Sequence, residues 1–130
     1  MAKLSAAQLI DLVENKYFHN VDNKNLEPAL DCFAEDAVLT VQTAGVAHRG
    51  RNDEISRMFA AFMADTPDIY HGDFSHIVDE ENQRIASQFV ARNKYDDGRQ
   101  VEMRNCNFFH IEDGRFKTVT IYMSGDNPLV

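Results

Sequence analysis

Tryptophan is absent from this 130-residue sequence, and cysteine, proline and glycine are scarce, at two, three and six. Cys32 and Cys106 fall in apolar runs with no paired spacing, so no disulfide framework is expected. They are expected as buried, inert thiols in a reduced, cytoplasmic protein. No HExxH, HxH or CxxC spacing occurs, nor a glycine-rich phosphate loop or nucleophile elbow, so no metal and no cofactor is expected. Positive charge is also sparse: 13 Lys and Arg stand against 21 Asp and Glu, for a formal charge of −8. The densest cationic stretch, His48-Arg49-Gly50-Arg51, leads into Asp53 and Glu54. Nucleic acid and anionic membrane are disfavoured as partners, because each demands a basic patch. The opening "MAKLSAAQLIDLVENK" is too polar for a signal peptide or a membrane span.

What is present is the composition of an ordinary globular domain, 44% hydrophobic with nine Phe and four Tyr. One domain over residues 1–130 is expected, large enough to bury a core without metal or disulfide. Ser5 with Gln8 matches a capping box, and Leu9, Leu12, Val13 and Tyr17 form one stripe, which predicts a helix over 5–20. Asn25 can cap a second helix, with Pro28 in its first turn and Leu26, Ala29, Leu30 and Phe33 as its apolar face. "AVLTVQT" predicts a strand over 37–43, and Gly45 a turn into a short strand at Val46 to His48. Arg51 to Ala64 returns to helical spacing, with Ile55, Met58, Phe59, Phe62 and Met63 on one side, a stripe that is core or cavity wall; Pro67 closes it.

Beyond Pro67 the period becomes two. Strands are expected at about 71–79, 84–95, 100–112 and 115–124, joined by polar turns including "DDG" and "EDG". Helices first and hairpin-linked strands later predict an α+β fold, with helices on one face of an antiparallel sheet. The stretch "RNCNFFHIEDGRF" is apolar on both faces, yet it carries Asn105 and Asn107 in alternation with Cys106 and Phe108.

Several stretches resemble the nuclear transport factor 2-like superfamily. They are "LDCFAEDAVLTV", "HRGRNDEISRMF", "YHGDFSHIVDEENQRIAS" and "FFHIEDGRFKTVTIYMSGDNPL", and within that superfamily they are most similar to SnoaL-like polyketide cyclases and scytalone dehydratase-like and ketosteroid isomerase-like proteins. The resemblance implies a cone-like, strongly bent antiparallel sheet, with three N-terminal helices closing a pocket on its concave side. The convex face would pair with a second copy in a homodimer. Asn105, Asn107 and Phe109 would then face the cavity, and Cys106, Phe108 and His110 would face away. Amides in a mostly apolar cavity are the kind of few, fixed polar groups that orient a small ligand; asparagines on a wet face are the alternative.

His71 matches the position of a pocket histidine in the dehydratase-like proteins. An imidazole suits proton transfer near neutral pH, although a histidine at a strand start can also be plain surface. Asp22 matches a carboxylate that orients a base, or it caps a helix. Arg92 stands where that family keeps a second histidine. It would pair with Asp22 or bind an anionic ligand through its planar fork, but it cannot act as a base. Tyr17 points its hydroxyl into the cavity mouth or serves as core. Val21 and Val41 replace pocket tyrosines, Val41 lies where the isomerase-like proteins keep their base, and Cys106 or Asn105 takes the place of their oxyanion-binding acid, which disfavours a steroid isomerase. His71 and His76, five apart in a strand, are expected on opposite faces.

Two functions follow from these residues. One is a cofactor-free acid–base enzyme (cyclase, isomerase or dehydratase) acting on a small, partly apolar carbonyl or hydroxyl compound. In it His71 and Asp22 are catalytic, and Asn105, Arg92, Tyr17, Asn107 and Phe109 bind the ligand. The other is a non-catalytic ligand-binding or dimerising subunit of the same fold.

Overall fold

A computed structural model describes residues 3–125 and 128–130; Asp126 and Asn127, in the last stretch quoted above, lie outside the described residues. Helix α1 spans residues 6–22. It is α-helical over Ala6–Asp11, π-helical over Leu12–Phe18 and α-helical again over His19–Asp22. Ser5 caps it as the sequence predicts: its hydroxyl accepts from the Gln8 N–H, and the Gln8 side chain accepts from the Ser5 N–H. Helix α2 is short, Leu26–Leu30. Helix α3 opens with a π-helical turn, Gly50–Ile55, and continues as Ser56–Asp65. The strands are β1 Phe33–Val41, β2 Val46–Arg49, β3 Asp68–Asp79, β4 Arg84–Lys94, β5 Gln100–Glu112 and β6 Arg115–Tyr122.

The six strands form one curved, unclosed sheet in the order β2-β1-β6-β5-β4-β3. The fold is α+β, as the alternation of periods predicts. Four of the five pairings are antiparallel, but β1 runs parallel to β6, so the sheet is mixed. Parallel neighbours cannot be joined by a tight turn; here the whole of α3 and β2 to β5 separates them in sequence. Phe33 belongs to β1, paired with Phe116, and not to the second helix as its spacing suggests. The Asp-Gly signal of the last hairpin holds: Asp113 (φ 51°) and Gly114 (φ 76°) form a two-residue loop between Glu112 and Arg115, the left-handed pair such a turn demands.

Burial alternates along β5. Met103, Asn105, Asn107, Phe109 and Ile111 are buried on the concave side, and Arg104 and Phe108 are exposed on the other. Helices α1 and α3 cover the concave side. Tyr17, Phe33, Phe59, Phe109 and Phe116 meet there largely edge to face, with centroids 4.7–6.1 Å apart. Such rings contribute beyond their buried area. Both cysteines are free. Burial pushes the Cys32 thiol up to about 12, and burial also raises Cys106.

One irregularity rearranges the site. The β3–β4 register shifts between Gly72 and Ser75, and Asp73 adopts a left-handed φ of 55°. His71 lies opposite Ala91 and His76 opposite Ser87. Five residues on β3 therefore match four on β4, the signature of a β-bulge. Four is an even step, so both histidines face the concave side. The expectation that they point to opposite faces is corrected by this extra residue.

Candidate active site

Helix α1 delivers Glu14, Phe18 and Asp22 to the sheet at intervals of four residues. The π-helical turn is wider than an α turn, which brings residues four apart closer to a single line. Each meets a ring on β3. The Phe18 ring lies 5.3 Å from Phe74 and 4.6 Å from His71. Asp22 Oδ1 accepts from the Nδ1–H of His71 at 2.5 Å, and its Oδ2 accepts from the His71 backbone N–H at 2.9 Å. The His71 and Asp22 side chains are 11% and 20% exposed, so little water competes for this pair. A carboxylate can only accept, so Nδ1 carries the proton and the lone pair of neutral His71 is on Nε2. Phe18 and Phe89 flank the imidazole and fix its plane.

His71 forms part of the wall of a cavity on the concave side of the sheet. Phe18, Val21, Phe59, Phe62, Phe89 and Met103 make most of its apolar lining, and the C-terminal Pro128 and Leu129 cover it. About 20 Å³ is open to the centre of a water molecule, roughly the room one water needs. The tail is held in place by the Nε2–H of His48, which donates to the Leu129 carbonyl at 2.7 Å. Tyr17 also lines the cavity. Burial above all, with neighbouring Cys32 and Asp22 adding to it, holds its phenol well above the usual range, so it stays a neutral donor.

Three asparagines supply the remaining polarity. Asn105 and Asn107 line the cavity from β5, the face assigned to them in the sequence, and Asn93 lines it from β4. All three are almost fully buried. Asn105 Oδ1 accepts from the Ser124 N–H at 3.3 Å, whereas Asn93 Oδ1 and Asn107 Oδ1 have no hydrogen-bond partner.

Two expected ligand contacts are not made. Arg92 lies between the inward-facing Ala91 and Asn93, so alternation turns it to the convex side. There its Nε–H donates to Glu102 at 2.7 Å, and its guanidinium stacks 5.1 Å over Tyr70. It neither reaches Asp22 nor lines the cavity. Phe109 is buried on the concave side but sits behind the cavity wall, against Tyr17 and Phe116. The residue missed in the sequence is Asn93, whose signal is its phase with Phe89 and Ala91.

Glu14 and His76 make a second carboxylate–imidazole pair. His76 Nε2 meets Glu14 Oε2 at 2.5 Å, and its Nδ1 meets the hydroxyl of fully buried Ser87 at 2.8 Å. His76 stacks on Phe74 and does not line the cavity.

The SnoaL-like domain pattern matches residues 15–119, most of the chain. This chain belongs to the SnoaL-like family. It is thereby a member of the nuclear transport factor 2-like superfamily, which the sequence resemblance implied. Solved structures share its fold at low identity. A candidate polyketide cyclase from Xanthomonas campestris pv. campestris is 20% identical, with 89% of this chain and 90% of that one covered and a TM-score of 0.77. An LEH-like epoxide hydrolase from M. tuberculosis is 13% identical, with 91% and 84% covered and a TM-score of 0.77. A protein from Catenulispora acidiphila with a ketosteroid isomerase-like fold, in complex with trimethylamine, is 12% identical, with 86% and 84% covered and a TM-score of 0.75. At these identities the likeness is one of fold. None of the curated proteins matches the chain.

Proposed function

We propose that this SnoaL-like protein binds a small, partly apolar molecule in the cavity and catalyses proton transfer on it without a cofactor, as a cyclase, isomerase or dehydratase would. The observation that carries this reading is His71 in the cavity wall with Asp22 bonded to its ring from behind. With Nδ1 donated to Asp22, Nε2 is the nitrogen left to take a proton from a bound carbon or oxygen acid. Asp22 orients the ring and stabilises the imidazolium that forms. Tyr17 donates from a neutral phenol toward a developing oxyanion, and Asn105 and Asn107 hold substrate oxygens or hydroxyls. One positioned base contributes about 10²–10⁴-fold. The test is deuterium exchange from D₂O into a panel of small ketones and hydroxyketones, followed by proton NMR. The wild type exchanges at least one of them and His71→Ala does not. Equal exchange by the two proteins removes His71 from the role.

A second reading concerns the convex face. Ile77, Ala86, Phe108 and Thr120 lie in register across four strands, with Tyr122 against Phe108 at 5.8 Å. Ile77 and Phe108 are 79% and 51% exposed, more than a monomer gains from displaying. Arg84, Arg104, Glu102 and Glu112 are exposed on the same side, so a two-fold-related copy can set basic against acidic groups around an apolar centre. We propose a homodimer through this face. Sedimentation at micromolar concentration gives a dimer that Phe108→Glu converts to monomer; a monomeric wild type overturns it.

A further inference from the structure

Helix α1 is fastened to β3 at two places by the same pair of groups. Glu14 meets His76 and, eight residues on, Asp22 meets His71, each at 2.5 Å. Helix and strand run in opposite senses, since residue numbers rise along one as they fall along the other. Between the two fastenings the rings stand in file. His76 stacks on Phe74 at 5.7 Å, Phe74 meets Phe18 at 5.3 Å, and Phe18 meets His71 at 4.6 Å. The Glu14 fastening is itself anchored. A carboxylate can only accept, so His76 Nε2 carries a proton, and in the neutral ring Nδ1 accepts from the Ser87 hydroxyl at 2.8 Å. Ser87 is fully buried on β4, an inner strand of the sheet.

The two spacings agree because of the extra residue at Asp73. Eight helical residues advance about 12 Å. Five regular strand steps cover about 17 Å, and four cover about 13 Å. The bulge compresses the five residues from His71 to His76 into four positions along β4. The histidines therefore stand at the spacing of the helix and on its side of the sheet, and both carboxylates reach their rings at once. Asp22 is the last residue of α1, and Asn23 already leaves helical geometry. An end residue follows any slide or rotation of its helix. Its two oxygens hold His71 in a productive place only while that end stays within about 0.5 Å of its own.

We infer that Glu14 and His76 are positioning residues for His71: their bond, anchored by Ser87, sets the axial and rotational place of α1 and hence that of Asp22 about two turns away. The inference rests on the proposed function above, in which His71 is the base. Neither Glu14 nor His76 lines the cavity, so neither touches a bound molecule, and their effect passes through Asp22. Phe18 does not do this alone. Its apolar contacts are non-directional and let the helix slide, whereas the hydrogen bond at Glu14 is directional and resists it.

The readout is the Nδ1–H proton of His71, which resonates far downfield while a carboxylate holds it. It is followed by ¹⁵N–¹H NMR in the wild type, Glu14→Ala, Glu14→Gln and Val119→Ala. The Glu14 side chain is 33% exposed, so its variants are expected to fold. Val119 is buried on β6, three strands from β3, and its variant controls for lost stability alone. Glu14→Ala moves the His71 proton upfield and quickens its exchange with water. Turnover of any ketone in the exchange panel falls about tenfold or more, with KM unchanged. Glu14→Gln, whose amide oxygen still accepts from His76 Nε2–H, restores each most of the way. Val119→Ala leaves the resonance in place. A His71 proton unmoved in Glu14→Ala, or moved equally in Val119→Ala, overturns the inference and leaves the proposed function intact. A wild type that exchanges no ketone, with the resonance still responding to Glu14, overturns the proposed function and upholds the coupling. A wild type without the downfield proton overturns both.

Discussion

The two oxygens of Asp22 divide their work on His71: Oδ1 accepts from the ring at 2.5 Å, and Oδ2 accepts from the backbone of the same residue at 2.9 Å. One carboxylate thus fixes the strand position, the ring plane and the tautomer together. The last of these can be measured. In the wild type, ¹⁵N shifts of His71 in the neutral ring report a protonated Nδ1 and a bare Nε2. Asp22→Asn offers the ring an amide N–H and should reverse the tautomer, presenting Nε2–H to the cavity. Any proton-transfer activity falls by about 10² or more with it. An unchanged tautomer in the variant would show that Asp22 does not set it.

The Glu14–His76–Ser87 chain is a structural tie between α1 and the sheet. His76→Ala leaves the Ser87 hydroxyl buried without a partner, a cost of about 1–3 kcal/mol in urea denaturation. His76→Ala with Ser87→Ala should recover part of that loss. A double variant no more stable than the single one contradicts the assignment.

Alkaline pH should weaken the fold through Tyr17 and Cys32, whose folded pKa values burial raises, that of Cys32 up to about 12. In the unfolded chain a thiol releases its proton near pH 8.5 and a phenol near 10. The stability these groups contribute is full below those values and declines as pH climbs past them, because only the unfolded chain then ionises. Melting temperature should fall from about pH 8.5 upward, and Tyr17→Phe with Cys32→Ala should flatten that limb. In an ultraviolet titration, Tyr17 is the last of the four tyrosines to ionise.

Arg92→Ala should leave ligand affinity in the cavity unchanged, since Arg92 faces the other side of the sheet. It should instead alter the acid limb. The Arg92 hydrogen bond, then its charge, lower the Glu102 carboxyl below its usual range. That contribution is present above the ordinary carboxylate pKa and is lost as pH falls through the depressed one. A shallower loss of melting temperature below about pH 4 in the variant is the expected readout.

How legible the molecule was varies residue by residue. The Ser5–Gln8 cap, the Asp113-Gly114 turn and the switch from helical to alternating spacing depend on local chemistry, and all stand in the structure. Parity along an unbroken strand set Asn105 and Asn107 on one face, and the family resemblance made that face the concave one. Arg92 was carried over from a resemblance, although the parity of Phe89, Ala91 and Asn93 already turned it outward. His76 went to the wrong face because an inserted residue leaves no local mark: the register shift at Asp73 is set by the pairing of Gly72 with Val90 and of Ser75 with Gln88 on β4, which the sequence does not display. Phe33 fitted a helical stripe, and its strand pairing with Phe116 is equally non-local.

The extra residue at Asp73 has a genetic consequence. Upstream of it, hydrophobic demand on β3 falls on odd-numbered codons such as those for Ile69 and His71; downstream it falls on even-numbered ones, Phe74, His76 and Val78. A saturation library across this strand should therefore show its tolerance pattern jump frame at one codon. A one-codon deletion there would merge the two frames: the two imidazoles would then stand four apart in a regular strand, both still on the side of their carboxylates, so the fold should accept loss of this residue more readily than loss of either neighbour in register.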